Sequence, residues 1–142
     1  MHPDEHFATL ASPPGQMARN NASVVLKAVY GDTSFLFTGD IMARGEQTLV
    51  TRFGDALSST VMVAPHHGSR SSSSQGLVNA VRPAVVVISA GAGNRFGFPH
   101  DEVVRRYRAA GSQLLCTGSH GAVSMRSDGH QIHVRAEVNA ES

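Results

Sequence analysis

Two short runs constrain this chain most: "TVMVA" at residues 60–64 and "AVVVISA" at residues 84–90. Both are almost wholly apolar and show no alternation. A half-exposed strand alternates with period two, so an unbroken apolar run of this length predicts a strand buried on both faces. Neither run is long enough to be a helix that spans a core. The chain must therefore place them inside a sheet and supply other elements to cover it.

The rest of the sequence supplies those elements. "SVVLKAV" (23–29), the turn "YGDT" and "SFLFT" (34–38) read as a hairpin. Residues 43–53 fit a helix with Met42, Leu49, Val50 and Phe53 on one face and Gly54 as its stop. A serine-rich loop precedes a short helix near Gln75–Val81, which Pro83 ends. "HDEVVRRYRAAG" (100–111) has acids in its first turn, arginines later, and Val103, Val104, Tyr107 and Ala110 as its expected buried stripe. "SQLLCT" (112–117) is a strand, and "GAVSMRS" (121–127) with "QIHVRAE" (131–137) closes the chain as a second hairpin. Residues 1–22, with Pro3, Pro13, Pro14 and Gly15, read as an irregular lead-in, and 138–142 as a tail. The domain is thus expected over 23–137, as an α/β (α+β) fold with one mixed sheet and helices on a face.

Bulk composition excludes several classes. A length of 142 residues suits one domain, and 41% hydrophobic residues suffice for one core. A formal charge of +1 demands no nucleic acid and permits a local basic patch. The single cysteine, Cys116, rules out an intramolecular disulfide and sits in an apolar run as a structural thiol. No apolar stretch approaches the ~20 residues of a membrane helix, and the N-terminus lacks the basic and apolar regions of a signal peptide, so this chain itself reads as soluble. No nucleophile elbow, phosphate-binding Gly-Lys-Ser/Thr loop or dinucleotide fingerprint is present.

Polar residues gather instead at strand ends: "TGD" after 34–38, "PHHGS" after 60–64, and "GAGNRFGFPH" after 84–90. Equivalent ends of neighbouring strands converge on one edge, where loops hold function. A carboxylate such as Asp40 can bridge two cations, and a histidine such as His67 can give neutral nitrogen to one. Cations so held polarise a substrate oxygen and make hydroxide available near neutral pH. Each residue also has a purely structural reading. Asp40 fits a helix N-cap, His66 and His67 fit loop positions, and the serines from 69 to 74 fit a loop ending in an N-cap. Asn94 and Arg95 fit turn and surface positions, and His100 a capping position.

The ordered set "NNASVVL", "GDTSFLFTGDI", "VMVAPHHGSRSSSS" and "VVVISAGAGNRFGFPH" resembles the C-terminal metallo-β-lactamase-like domain of ComEC-type DNA-uptake proteins, from about Asn20 to about Gly129. The resemblance implies the C-terminal half of an αββα sandwich with two divalent metal ions, zinc or manganese, at one edge. It implies metal ligation by Asp40 and by one histidine of "PHHGS", His67 in preference to His66. By the same resemblance His66 is then a catalytic residue beside the metal or against substrate, and His100 a catalytic residue that reaches phosphate or shuttles a proton. Substrate contacts are implied for Ser69, Asn94 and Arg95. Phe98 stands where many relatives have a further histidine. The family's main His/Asp cluster has no counterpart here: "HPDEH" (2–6) has no apolar strand before it and is not taken as that cluster.

The resemblance therefore implies half of a metal-dependent nuclease domain. It would cleave phosphodiester bonds of DNA during uptake and be inactive alone because its centre is incomplete. The implied partners are DNA, as a single strand, and the membrane channel domain of the same protein. The implied location is the extracytoplasmic side of the inner membrane. A missing half also predicts an uncovered apolar sheet face and oligomerisation through it. The alternatives are a non-catalytic DNA- or protein-binding module and another hydrolase of the same superfamily.

Overall fold

The structure, a computed structural model, describes the backbone of residues 5–10 and residues 23–137 in full. The strands are β1 (Glu5–Leu10), β2 (Val25–Tyr30), β3 (Thr33–Phe37), β4 (Val61–Val63), β5 (Val85–Ile88), β6 (Gln113–Cys116), β7 (Val123–Ser127) and β8 (Ile132–Ala136). The helices are α1 (Ala43–Phe53), α2 (Gln75–Val81), α3 (Asp101–Ala109) and the single turn α4 (Thr117–His120). The fold is the expected mixed α/β arrangement. One six-stranded sheet runs in the order β1-β2-β3-β4-β5-β6, and β7-β8 forms a separate two-stranded sheet. The β1-β2-β3 pairs are antiparallel and the β3-β4-β5-β6 pairs parallel. Because spatial order follows chain order, crossovers of one hand put α1, α2 and α3 on the same face.

That face holds the core. Register aligns Leu36, Met62, Val86 and Leu114 across four strands. The first three are at most 1% exposed and pack with Leu49, Leu77, Val78, Val81, Val103 and Tyr107. Fully burying side chains of this size contributes about 1.5–3 kcal/mol each. The opposite face is covered less. Val61 is buried, Val63, Val85 and Val87 are half-buried, and Phe37 is 44% exposed. Val123 and Met125 of β7 meet part of it across a cleft of about 230 Å³ that Phe35 and Phe37 also line. The inner strands are thus buried on one face and only partly on the other, and the expected uncovered apolar face is present in reduced form.

Three further differences have local causes. Glu5–Leu10, inside the segment read as irregular, is a strand because β2 offers it an antiparallel edge, from Glu5 opposite Tyr30 to Leu10 opposite Val25. The rest of the lead-in, including His2 and Asp4 of "HPDEH", and the tail at 138–142 lie outside the described residues. Asp40 does not cap α1; Met42 does, without a side-chain bond. Ala110 is exposed, so the buried stripe of α3 reduces to Val103 and Tyr107 with Val104 half-buried.

One buried carboxyl fixes the serine loop. Glu46 of α1 is 0% exposed and accepts hydrogen bonds from the backbone N–H groups of Ser73 (2.5 Å) and Ser74 (2.7 Å). Tyr107 Oη donates to Ser73 Oγ at 2.7 Å, and Arg106 donates to the Ser73 carbonyl. Ser73 has φ +57°, a left-handed conformation these contacts hold in place. Ser74 then caps α2, accepting from the Leu77 N–H. Burial pushes the Glu46 carboxyl above its ordinary range; the Ser73 and Ser74 donors and the Arg106 charge oppose that more weakly.

A carboxyl raised in the fold favours the folded state when protonated. Its stabilising contribution is complete below the ordinary carboxyl range and is lost as pH rises through the raised value. Glu46→Gln cannot accept both N–H groups as the carboxyl does and is expected to cost about 1–3 kcal/mol at acid pH. In denaturant titrations the margin of wild type over this variant should shrink from about pH 4 to pH 7. A margin that widens over that range contradicts the assignment.

Candidate functional site

The parallel ladder sets the ends of β3, β4 and β5 side by side, and the polar segments after them meet at one sheet edge. Thr38, fully buried, donates to the Val63 carbonyl at 2.7 Å and ties the first segment to the second. The His66 N–H donates to the Gly39 carbonyl at 3.0 Å, and Asp40 N–H donates to Ser23 Oγ. Asp40 and His67 are thereby brought together, with Oδ1 and Nε2 3.5 Å apart and both side chains about half exposed (48% and 49%).

The turn that delivers the histidines is strained. His66 (φ +48°) and His67 (φ +56°) both adopt left-handed backbone, sparsely populated for residues other than glycine. Gly68 follows at φ +78°, where a Cβ would lie 2.7 Å from the Pro99 Cβ. The Gly68 carbonyl accepts the His100 N–H at 3.0 Å, which locks the "PHHG" turn to the loop before α3. Three consecutive left-handed residues turn the chain back sharply, and they aim His67 toward Asp40.

Hydrogen bonds assign the ring nitrogens. His67 Nδ1 lies 2.8 Å from the Ser89 carbonyl, which can only accept, so Nδ1 carries the proton and donates. In the neutral ring Nε2 then presents a lone pair toward Asp40. His100 is the reverse: its Nδ1 accepts the Arg70 N–H at 3.0 Å, so Nε2 carries the proton. His66 Nδ1 is 3.4 Å from Ser71 Oγ. Phe98 sits among all three rings, with centroids 5.9, 6.3 and 5.3 Å from those of His66, His67 and His100.

The remaining expected residues divide. Ser69 is buried, and its Oγ accepts from the Ser71 N–H, so its hydroxyl serves the serine loop and not the cleft. Asn94 is engaged within its own loop: Oδ1 accepts from the Phe96 and Phe98 N–H groups, and Nδ2 donates to the Gly91 and Phe98 carbonyls. Arg95 is exposed, its guanidinium 4.7 Å from the Phe96 ring centroid. Ser89, through its carbonyl, is a contributor to the site that the motifs do not reveal, and Glu46 is one to the neighbouring serine loop. For Glu46 a signal exists: it lies on the stripe with Met42, Leu49, Val50 and Phe53, and a carboxylate on an apolar stripe must find internal donors.

The Asp40–His67 pair fits part of a metal centre. Two donors about 2.0–2.1 Å from a common tetrahedral ion stand roughly 3.3 Å apart, near the observed 3.5 Å. A backbone bond at Nδ1, as His67 makes, is the kind of outer contact by which metal-ligating histidines are oriented. Among the described residues no group of three or more His, Cys, Asp or Glu side chains is placed to hold an ion. Nitrogen-15 spectra of the ring nitrogens at pH 8 should show the Nδ1–H tautomer for His67 and the Nε2–H tautomer for His100. The same tautomer at both would refute this reading of the cleft.

No family model matches the chain. It is 43% identical over 104 residues to competence protein ComA of Neisseria gonorrhoeae, covering 73% of this chain and 15% of that protein. It is 31% identical over 113 residues to ComE operon protein 3 of Bacillus subtilis, covering 80% of this chain and 14% of that protein. It is 37% identical over 120 residues to recombination protein 2 of Haemophilus influenzae, covering 83% and 15%. Most of the chain is therefore similar to one segment, 14–15% of the whole, of proteins named for competence or recombination.

Proposed function

We propose that this chain is the C-terminal part of a ComEC-type metallo-β-lactamase-like domain that hydrolyses phosphodiester bonds of DNA during competence uptake. The observation that carries the reading is His67 Nε2 facing an Asp40 carboxylate oxygen at 3.5 Å while its Nδ1 is held by the Ser89 carbonyl. Two acceptors at that separation repel unless a cation or a proton lies between them. The names of the similar proteins support the competence role, and the tight "PHHG" turn supports a built site over a casual ion pair.

In this reading Asp40 and His67 hold one side of a centre for divalent ions, zinc or manganese. Bound there, such ions polarise a phosphoryl oxygen and lower the pKa of water. The other ligands come from a segment outside the described residues. His100 offers its Nε2–H to a phosphate oxygen, with Nδ1 held by the Arg70 N–H. His66 packs on Phe98 and shapes the wall beside His67. Arg95 offers an exposed charge to the backbone of the strand. In the longer protein the domain stands beside a membrane channel on the extracytoplasmic side; among the described residues no helix is long and apolar enough to cross a membrane.

A longer version that includes the preceding segment of its own gene should cleave single-stranded DNA when zinc or manganese is added. Asp40→Ala and His67→Ala should each lower that rate about a hundredfold or more. The 142-residue chain should bind these ions weakly and cleave nothing above background. Metal-independent cleavage by the longer version, or full activity in both variants, would sink the proposal.

A further inference from the structure

Phe96 is 57% exposed, one of four large hydrophobic side chains so placed among the described residues. Loose geometry does not account for it, since the four Asn94 side-chain bonds hold the 91–98 loop and fix the direction in which Phe96 leaves it. Phe96 stacks on Phe98 with centroids 5.3 Å apart and planes 18° apart. Phe98 in turn lies nearly parallel to His67, at 6.3 Å and 17°. A row of three near-parallel rings thus runs from the Asp40 edge outward and ends at the solvent. The arginine at its outer end has no carboxylate partner among the described residues. Beside the row lies a mostly apolar cleft of about 240 Å³, lined by His67, Phe96, Phe98, the Ser89–Gly91 segment and, as expected of it, Asn94.

A mostly apolar cleft, an exposed ring and a guanidinium that lies 4.7 Å from that ring without a carboxylate partner suit a flat, π-faced ligand that carries negative charge. An unpaired nucleotide has both properties, whereas a base inside a duplex presents only its edge. We infer that Phe96 and Arg95 form a nucleobase platform beside the Asp40–His67 edge, the ring taking a base of a single strand and the guanidinium a neighbouring phosphate. This rests on the reading of that edge as a nucleic-acid site, and it adds what chooses single strand over duplex. Phe96 acts here by binding and takes no part in proton transfer or hydrolysis.

The test uses the 142-residue chain in EDTA at low salt, so that no hydrolysis is involved, and a short single-stranded oligonucleotide with one central 2-aminopurine. Binding should quench the 2-aminopurine, and duplex of the same sequence should bind more weakly. Phe96→Ala should weaken single-strand binding about tenfold or more and abolish the quench, while Phe96→Tyr keeps both. Arg95→Gln should weaken binding and lower the salt slope by about one, with the quench retained at saturation. Both positions are exposed, and unchanged thermal midpoints would confirm intact folds. Equal affinity and equal quench in wild type and Phe96→Ala would overturn the platform, as would equal binding of duplex and single strand or no binding of the oligonucleotide at all. Those results leave metal-dependent cleavage by the longer version to be judged by its own assay. Conversely, a Phe96-dependent quench with no cleavage there would uphold the platform and defeat the hydrolytic reading.

Discussion

Everything at this edge depends on the parallel pairing of β3, β4 and β5. Burial of the Leu36–Met62–Val86 row fixes the register. A slip by one residue would move the whole row to the opposite face. With the register fixed, three strands end at one level, and "TGD", "PHH" and "SAG" become neighbours although about 25 residues separate each from the next. The apolar core thereby places the polar cleft. Hydrogen bonds between strand ends, such as Thr38 to Val63, refine the placement without creating it.

Below that edge the serine loop has its own support. Glu46 supplies the acceptors that Ser73 and Ser74 need, and Arg106 and Tyr107 of α3 close the cluster from the other side. The loop joins α1 to α3 through a hydrogen-bonded core that shares no side chain with the Asp40–His67 pair. The "PHHG" turn is fastened through the Gly39 carbonyl and the His100 N–H, and the serine loop adds the Ser72 hydroxyl on the Pro65 carbonyl. Strain at His66 and His67 is therefore borne by backbone bonds on both flanks, as three consecutive left-handed residues require.

Much of this was legible in the sequence, for identifiable reasons. Unbroken apolar runs and helical periodicity reported β2 to β6 and α1 to α3 because burial itself writes those patterns. The convergence of Asp40 with His67 followed from strand ends in a sheet. The strand at Glu5–Leu10 was hidden because a pairing edge, not a pattern, makes it a strand. The engagement of Asn94 was hidden too. Its four bonds depend on the shape of a glycine-rich loop, while the local sequence says only that a turn is there. An uncovered second sheet face was the expectation, and its partial covering by Val123 and Met125 required the path of the closing hairpin.

The backbone contacts of His67 and His100 have one more consequence. Each ring has given one nitrogen to the main chain, and the two have given it in opposite senses. With both rings neutral, Nε2 is then a lone pair on His67 and an N–H on His100. The first suits a cation and the second an anion, and backbone contacts alone assign the two roles.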